Sequence, residues 1–160
     1  YMEVIRGKTA MLFEASTHSA AVLAQAPAEH IEALRTYGDN LGIAFQLVDD
    51  LLDYRGDAET LGKNVGDDLA EGKPTLPLIV TMRDGTPEQA ALVRKAIQKG
   101  GIEDLAQISA AVEACGALDY TAKLAQEYAN RAIACLDAIP ASEYRNAMIE
   151  LAQFAVARTQ

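Results

Sequence analysis

The stretch GIAFQLVDDLLDY, residues 42–54, places three aspartates inside an apolar run: Asp49, Asp50 and Asp53. Its apolar residues recur at three- and four-residue steps, which is the spacing of one face of an α-helix. On such a helix Asp49 and Asp53 lie one turn apart, and Asp50 lies about 60° from Asp53. Carboxylates this close on a partly buried face repel one another unless a cation or hydrogen-bond donors compensate them. The stretch therefore predicts a long helix whose acids need a positive partner.

Composition predicts one all-α domain that does not bind nucleic acid. The chain has 160 residues, half of them hydrophobic, with no Trp and five Pro, which is enough for one core and favours helices. Its net charge of −9 excludes the basic patches that bind nucleic acid. Two isolated cysteines without metal or redox spacing indicate a reducing, cytoplasmic location. The sequence also lacks an apolar run of membrane-spanning length.

Helical periodicity covers most of the chain and lapses once. Residues 55–73 contain four glycines and many polar residues, and a stretch of this length without periodicity predicts a working loop or lid. Pro74 is expected in the first turn of the next helix, and Thr86 with Pro87 is expected to begin another. The predicted helices are residues 1–25, 28–54, 74–82, 87–98, 102–114, 117–136 and 141–157.

The acids concentrate where a cation would be needed. Residues 39–71 hold nine acids against two bases. Clustered carboxylates suit a hard divalent cation, and Mg²⁺ completes its octahedron with water and substrate phosphates. A DDxxD motif alone is more often a solvated acidic patch. Here Lys63, Lys73 and Lys8 with Thr9 offer further groups for phosphate oxygens, so the joint pattern favours a diphosphate site.

Three segments carry a family resemblance: KTAMLFEAS (8–16), GIAFQLVDDLLDY (42–54) and GKNVGDDLAEGKPTLPLI (62–79). Together they resemble the second half of a trans-polyprenyl diphosphate synthase, and within that family the likeness is greatest to bacterial octaprenyl diphosphate synthases, which make the ubiquinone side chain. The resemblance implies the all-α isoprenoid synthase fold. It also implies elongation of an allylic diphosphate by isopentenyl diphosphate with Mg²⁺ as cofactor.

The resemblance also implies roles for individual residues. Asp49, Asp50 and Asp53 match the second Asp-rich motif and would bind Mg²⁺, while Asp67 and Asp68 would bind metal through water. The positions that match the allylic diphosphate site are Lys8, Thr9, Gln46 and Lys63, with Phe45 flanking the reacting carbons and Lys73 near the cavity mouth.

The family's first Asp-rich motif and its isopentenyl diphosphate site have no counterpart among these residues. Residues 1–160 are therefore expected to form the C-terminal half of a single polyprenyl synthase domain, inactive alone, whose parent enzyme is expected to be a homodimer. A non-catalytic helical subunit of a heteromeric prenyl synthase and a terpene cyclase of the same fold remain alternatives. The intact acidic motif argues against the first, and the GKPTLPLI segment argues against the second.

Overall fold

The computed structural model describes residues 1–55, 66–100 and 103–157, and every regular element in these ranges is helical. This confirms the all-α prediction. No helix among the described residues is both long and apolar enough to cross a membrane. The helices are α1 (Met2–Ile5), α2 (Met11–Leu23), α3 (Ala28–Arg55), α4 (Asp67–Ala70), α5 (Leu76–Asp84), α6 (Pro87–Lys99), α7 (Leu105–Ala114), α8 (Ala117–Cys135) and α9 (Glu143–Ala157), with a π-helical turn at Arg6–Ala10 and a 3₁₀ turn at Leu136–Ala138.

Most predicted helices are confirmed, and two differ in a way that affects the site. The predicted first helix contains the π-helical turn Arg6–Ala10, a local widening that is frequent at functional sites. The start predicted at Pro74 is wrong, because α5 begins at Leu76. The Thr75 N–H donates to the Lys73 carbonyl at 3.0 Å, so the backbone turns at Pro74 and becomes helical only afterwards. The part of the predicted loop at residues 56–65 lies outside the described residues.

The predicted helix start at Thr86 is confirmed in detail. The Thr86 hydroxyl accepts from the Gln89 N–H, while the Gln89 side chain accepts from the Thr86 N–H. This reciprocal capping box satisfies two N–H groups that the first turn of a helix otherwise leaves unpaired. Pro87 occupies the first turn, where its missing N–H costs nothing.

The described chain forms two compact units. The first, here called the acidic unit, consists of Tyr1 and residues 49–123. In it α5 packs against α6 and α7, and α6 also packs against α7. Its fully buried side chains include Leu51, Leu69, Leu78, Val93 and Ile108. The short helix α4 contributes Leu69 to this core, which fixes the acidic segment that surrounds it.

The second unit, here called the Tyr37 unit, consists of residues 2–48 and 124–157. Its buried cluster contains Tyr37, Leu41, Ala132, Leu136, Ala152 and Ala155. The Tyr37 side chain is 1% exposed, and its hydroxyl donates to the Met148 carbonyl at 2.8 Å. That hydrogen bond satisfies the only polar atom of a large buried ring, and it ties α3 to α9.

Glycines on α3 allow the preceding helix and the π-helical turn to approach closely. A methyl carbon added at Gly42 would lie 2.5 Å from the Ala10 Cα, and one added at Gly38 would lie 2.5 Å from the Phe13 carbonyl oxygen. Both distances are shorter than van der Waals contact, so any side chain there would push the backbones apart. Small residues at these positions therefore hold the Arg6–Ala10 turn against α3.

We expect Gly42→Ala to lower the free energy of unfolding by about 1 to 3 kcal/mol, because the added methyl overpacks a contact between two backbones. Urea denaturation followed by circular dichroism measures the change. Gly7→Ala is the matched control, since nothing lies within 4 Å of its new methyl. If Gly42→Ala is as stable as Gly7→Ala, the close approach at Ala10 is not a constraint on this fold.

Candidate active site

A polar cavity of about 160 Å³ lies in the acidic unit, where α3 faces the segment that precedes α5. Two of its carboxylates, Asp49 and Asp53, belong to α3. The segment around α4 supplies the other four lining side chains: Asp67, Asp68, Glu71 and Lys73. Five carboxylates and one ammonium group thus share a space that can hold several waters or a hydrated cation. The structure brings Asp49 and Asp53 of the DDxxD motif together with the acidic segment around α4.

Asp53 is the least exposed carboxylate of this cavity. Its side chain is 8% exposed, and its Oδ2 atom is buried without a hydrogen-bond partner. The backbone N–H groups of Asp67 and Asp68 donate to its carboxylate and favour the charged form. Burial, together with the charges of Asp68 and Asp67, acts in the opposite direction and raises the pKa of Asp53 to about 6. Asp53 Oδ2 is therefore an acceptor that a bound water or cation would satisfy.

Asp50 points to a different set of partners. Its side chain is 2% exposed, and its Oδ2 accepts from the Leu76 N–H at 3.2 Å and from the Tyr1 hydroxyl. Leu76 is the first residue of α5, so Asp50 caps a helix that is distant in sequence. Burial and the nearby Asp50 carboxylate raise the pKa of Tyr1 far above its ordinary value, which keeps the Tyr1 hydroxyl protonated as a donor.

Lys73 is held inside the acidic cavity by its own neighbours. Its ammonium lies 3.0 Å from Asp68 Oδ1 and also pairs with Glu71. These two partners, Glu71 first, raise the pKa of Lys73 above its usual range. Lys73 therefore stays charged, and it offsets part of the repulsion between the carboxylates around it.

A second group contains the residues of the Tyr37 unit that the sequence predicts to bind the allylic diphosphate. Thr9 lies in the π-helical turn, and its hydroxyl donates to Gln46 Oε1 at 2.9 Å. Gln46 is 8% exposed, whereas the neighbouring Lys8 is exposed. The Gly42 contact described above brings the turn close enough to α3 for this hydrogen bond. Thr9 and Gln46 are thus paired by the fold, and Lys8 projects from the same turn.

Phe45 borders an apolar cavity of about 270 Å³ in the Tyr37 unit. Its ring lies 5.6 Å from that of Phe13, centroid to centroid, at a tilt of 38°. The other lining residues are Leu41, Leu151, Phe154 and Ala155. The predicted aromatic residue therefore faces hydrocarbon rather than charge.

Comparison with known proteins identifies the family. Residues 1–115 match the family model described as Polyprenyl synthetase, which is more than half of the chain. The chain belongs to the polyprenyl synthetase family. It is 52% identical over 159 residues to the octaprenyl diphosphate synthase of Escherichia coli (strain K12), covering 99% of this chain and 49% of that protein. It is 49% identical over 160 residues to the geranyl-diphosphate-specific all-trans-nonaprenyl-diphosphate synthase of Rhodobacter capsulatus, again covering 49% of it.

Solved structures of this family share the fold. A polyprenyl synthase from Caulobacter crescentus, complexed with calcium and isoprenyl diphosphate, superposes with a TM-score of 0.92 at 46% identity. It is matched over 100% of this chain and 49% of that one. A decaprenyl diphosphate synthase from Rhodobacter capsulatus gives 0.91 at 39% identity, over 100% of this chain and 50% of that one. The isoprenoid synthase fold is thereby confirmed, and the chain spans about half the length of the curated relatives it matches.

Sequence reasoning missed two residues of this candidate site and named one that lies outside the described residues. Glu71 lines the acidic cavity, and its position one helical turn after Asp67 was an available signal. Tyr1 contacts Asp50 across 49 positions of sequence, for which no local pattern exists. Lys63, predicted to hold the allylic diphosphate, is the residue outside the described ranges.

The donor set fits a cation that keeps part of its water shell. Among residues 1–55, 66–100 and 103–157, no three His, Cys, Asp or Glu side chains converge closely enough to hold a metal ion alone. The cavity nevertheless offers carboxylate oxygens from opposite walls and the orphaned oxygen of Asp53. Mg²⁺ is bound in many proteins by one or two carboxylates, water and substrate phosphates, which matches this arrangement.

We expect Asp53→Asn to stabilise the metal-free protein at pH 7.5 by about 1 to 3 kcal/mol. The pKa of Asp53 is raised from 3.8 to about 6 in the folded state, so folding favours the protonated carboxyl. Its stabilising contribution is full below the unfolded pKa and is lost as pH rises through the folded pKa. The advantage of the variant should therefore shrink between pH 7.5 and pH 4. Thermal denaturation in EDTA across this range measures it.

The exposed carboxylate Asp119, which pairs with Arg55, provides the control for that series. Asp119→Asn should change stability by less than about 1 kcal/mol. An Asp53→Asn variant that loses stability at pH 7.5 in EDTA would show that the carboxylate is already compensated without a cation.

Proposed function

We propose that this chain is the C-terminal half of an octaprenyl diphosphate synthase-like enzyme. The parent enzyme would elongate an allylic diphosphate by head-to-tail condensation with isopentenyl diphosphate, to make the side chain of a quinone. The acidic cavity carries the proposal: carboxylates of the DDxxD motif face Asp67, Asp68 and Glu71 across a space suited to a hydrated divalent cation. The relatives named above are synthases of this kind by name, which supports the same reaction here.

The proposed reaction begins with loss of diphosphate from the allylic substrate. The allylic C–O bond breaks, its electrons leave with the diphosphate, and the resulting carbocation is attacked by the double bond of isopentenyl diphosphate. The condensed carbocation then loses a proton to the released diphosphate, and the electrons of that C–H bond form the new double bond of the elongated chain. Bound Mg²⁺ supplies charge neutralisation at the leaving diphosphate.

Each group of residues has a role in this proposal. Asp49 and Asp53 would hold Mg²⁺, and Asp67 and Asp68 would act through water. Lys8, Thr9, Gln46 and Lys63 bind the allylic diphosphate, and the Thr9 to Gln46 hydrogen bond orients both side chains for it. Phe45 borders the apolar space for the reacting hydrocarbon, where exclusion of water protects the carbocation.

We further propose which metal the parent enzyme uses, how it assembles and where it is located. A divalent cation is supported by the carboxylate chemistry and by the calcium-bound relative from Caulobacter crescentus, and Mg²⁺ is the ion we propose. The homodimer and the cytoplasmic location stay predictions. Because the relatives are about twice as long, we also propose that activity needs the remaining half of the native polypeptide.

We expect the native polypeptide to convert isopentenyl diphosphate and an allylic primer into a linear polyprenyl diphosphate only with Mg²⁺. Asp49→Asn should lower kcat by about 10²-fold or more, since it removes a ligand of the ion that stabilises the leaving diphosphate. Radiolabelled isopentenyl diphosphate, with chromatography of the products, measures rate and chain length together. EDTA should abolish the reaction and added Mg²⁺ should restore it.

Asp137→Asn is a suitable control, because Asp137 is an exposed carboxylate that pairs with Arg145 in the Tyr37 unit. It should retain the activity of the wild type. Cyclic hydrocarbon products would contradict the proposal and show that the enzyme is a terpene cyclase. A native polypeptide that is inactive under all these conditions would favour a non-catalytic subunit.

A further inference from the structure

The acidic segment that follows the DDxxD motif is fixed to α3 at both ends. At its start, the Gly66 N–H donates to the Asp53 carbonyl at 3.0 Å. At its end, the Leu76 N–H donates to Asp50 Oδ2 at 3.2 Å. Between these two points lie the cavity residues of the segment, Asp67, Asp68, Glu71 and Lys73. These two attachments, together with the burial of Leu69, hold the cavity side chains of the segment in position relative to Asp49.

The attachment at Asp50 is strong because a buried carboxylate accepts two hydrogen bonds there. Asp50 is 2% exposed, so its charge would be costly without donors. It receives one from the first N–H of α5, where the helix dipole favours a negative charge, and one from the Tyr1 hydroxyl. Hydrogen bonds to an ionised acceptor are about twice as strong as those between neutral groups. Asp50 is also absent from the lining of the acidic cavity.

We propose that Asp50 is a positioning residue, which together with Tyr1 clamps the start of α5 to α3 and thereby sets the acidic segment opposite Asp49 and Asp53. The matching positions of the motif suggested the same metal-binding role for all three aspartates. The contacts of Asp50, the middle aspartate of the motif, support a different role: it positions the backbone segment that carries the cavity side chains. Its effect on cation binding rests on the proposed function, whereas the clamp itself does not.

The first test is a double-mutant cycle on stability in EDTA, using Tyr1→Phe, Asp50→Asn and the double variant of the native polypeptide. Each single substitution should lower Tm by about 2 to 4 °C, because each weakens a hydrogen bond to a buried charge. The double variant should lose little more than the worse single one, since both act on the same contact. Tyr144→Phe removes a hydroxyl from an exposed ring and should leave Tm unchanged.

The second test separates positioning from stability alone. The affinity for Mn²⁺ in the presence of pyrophosphate is measured by electron paramagnetic resonance, at a temperature at which all variants are folded. Tyr1→Phe should raise the Kd of Mn²⁺ about three- to tenfold although Tyr1 does not line the cavity, and Asp50→Asn should do the same. Asp49→Asn, the comparison that removes a cavity carboxylate, should raise it more while leaving metal-free Tm equal or higher.

Additive effects of Tyr1→Phe and Asp50→Asn in EDTA would overturn the clamp. If Tyr1→Phe leaves the affinity for Mn²⁺ unchanged while Asp50→Asn abolishes binding, Asp50 is a metal ligand and not a positioning residue. A native polypeptide that binds no Mn²⁺ with pyrophosphate would overturn the proposed function and the positioning role together, while the cycle in EDTA would still show whether the contact between Tyr1 and Asp50 exists.

Discussion

The cost of burying carboxylates on α3 is the constraint on which the acidic unit depends. Asp50 and Asp53 are both less than a tenth exposed, and each would oppose folding if left without donors. Both carboxylates accept hydrogen bonds from the N-terminal amides of later helices. Asp53 accepts from those of α4, and Asp50 accepts from that of α5. These two buried aspartates therefore help to determine where the following chain lies.

This compensation is unequal, and the inequality has functional meaning. Asp50 has a hydroxyl and a helix amide as donors, whereas one oxygen of Asp53 is buried without a partner. Lys73 offsets only part of the charge in the cavity, because it already pairs with Asp68 and Glu71. The remaining negative potential favours a divalent cation, and a cation in turn attracts a diphosphate.

The Tyr37 unit shows a related use of close packing. Gly42 lets the Arg6–Ala10 turn approach α3, and the resulting distance allows Thr9 to donate to Gln46. The π-helical geometry of that turn changes which side chains face α3, since it adds a residue to the turn. A polar pair, Thr9 with Gln46, and an apolar cavity next to Phe45 thus lie within one unit.

The sequence by itself determined most of the helices, because apolar spacing and caps such as Thr86 act within a few residues. It also determined the acidic motif and the family, whose matching segments are short and contiguous. Only the tertiary structure decided how the three aspartates differ, since periodicity places Asp49, Asp50 and Asp53 along one edge of a helix without naming their partners. Tyr1 and Leu76 reach Asp50 from 49 and 26 positions away. Contacts over such distances depend on the packing of whole helices, and no local pattern records them.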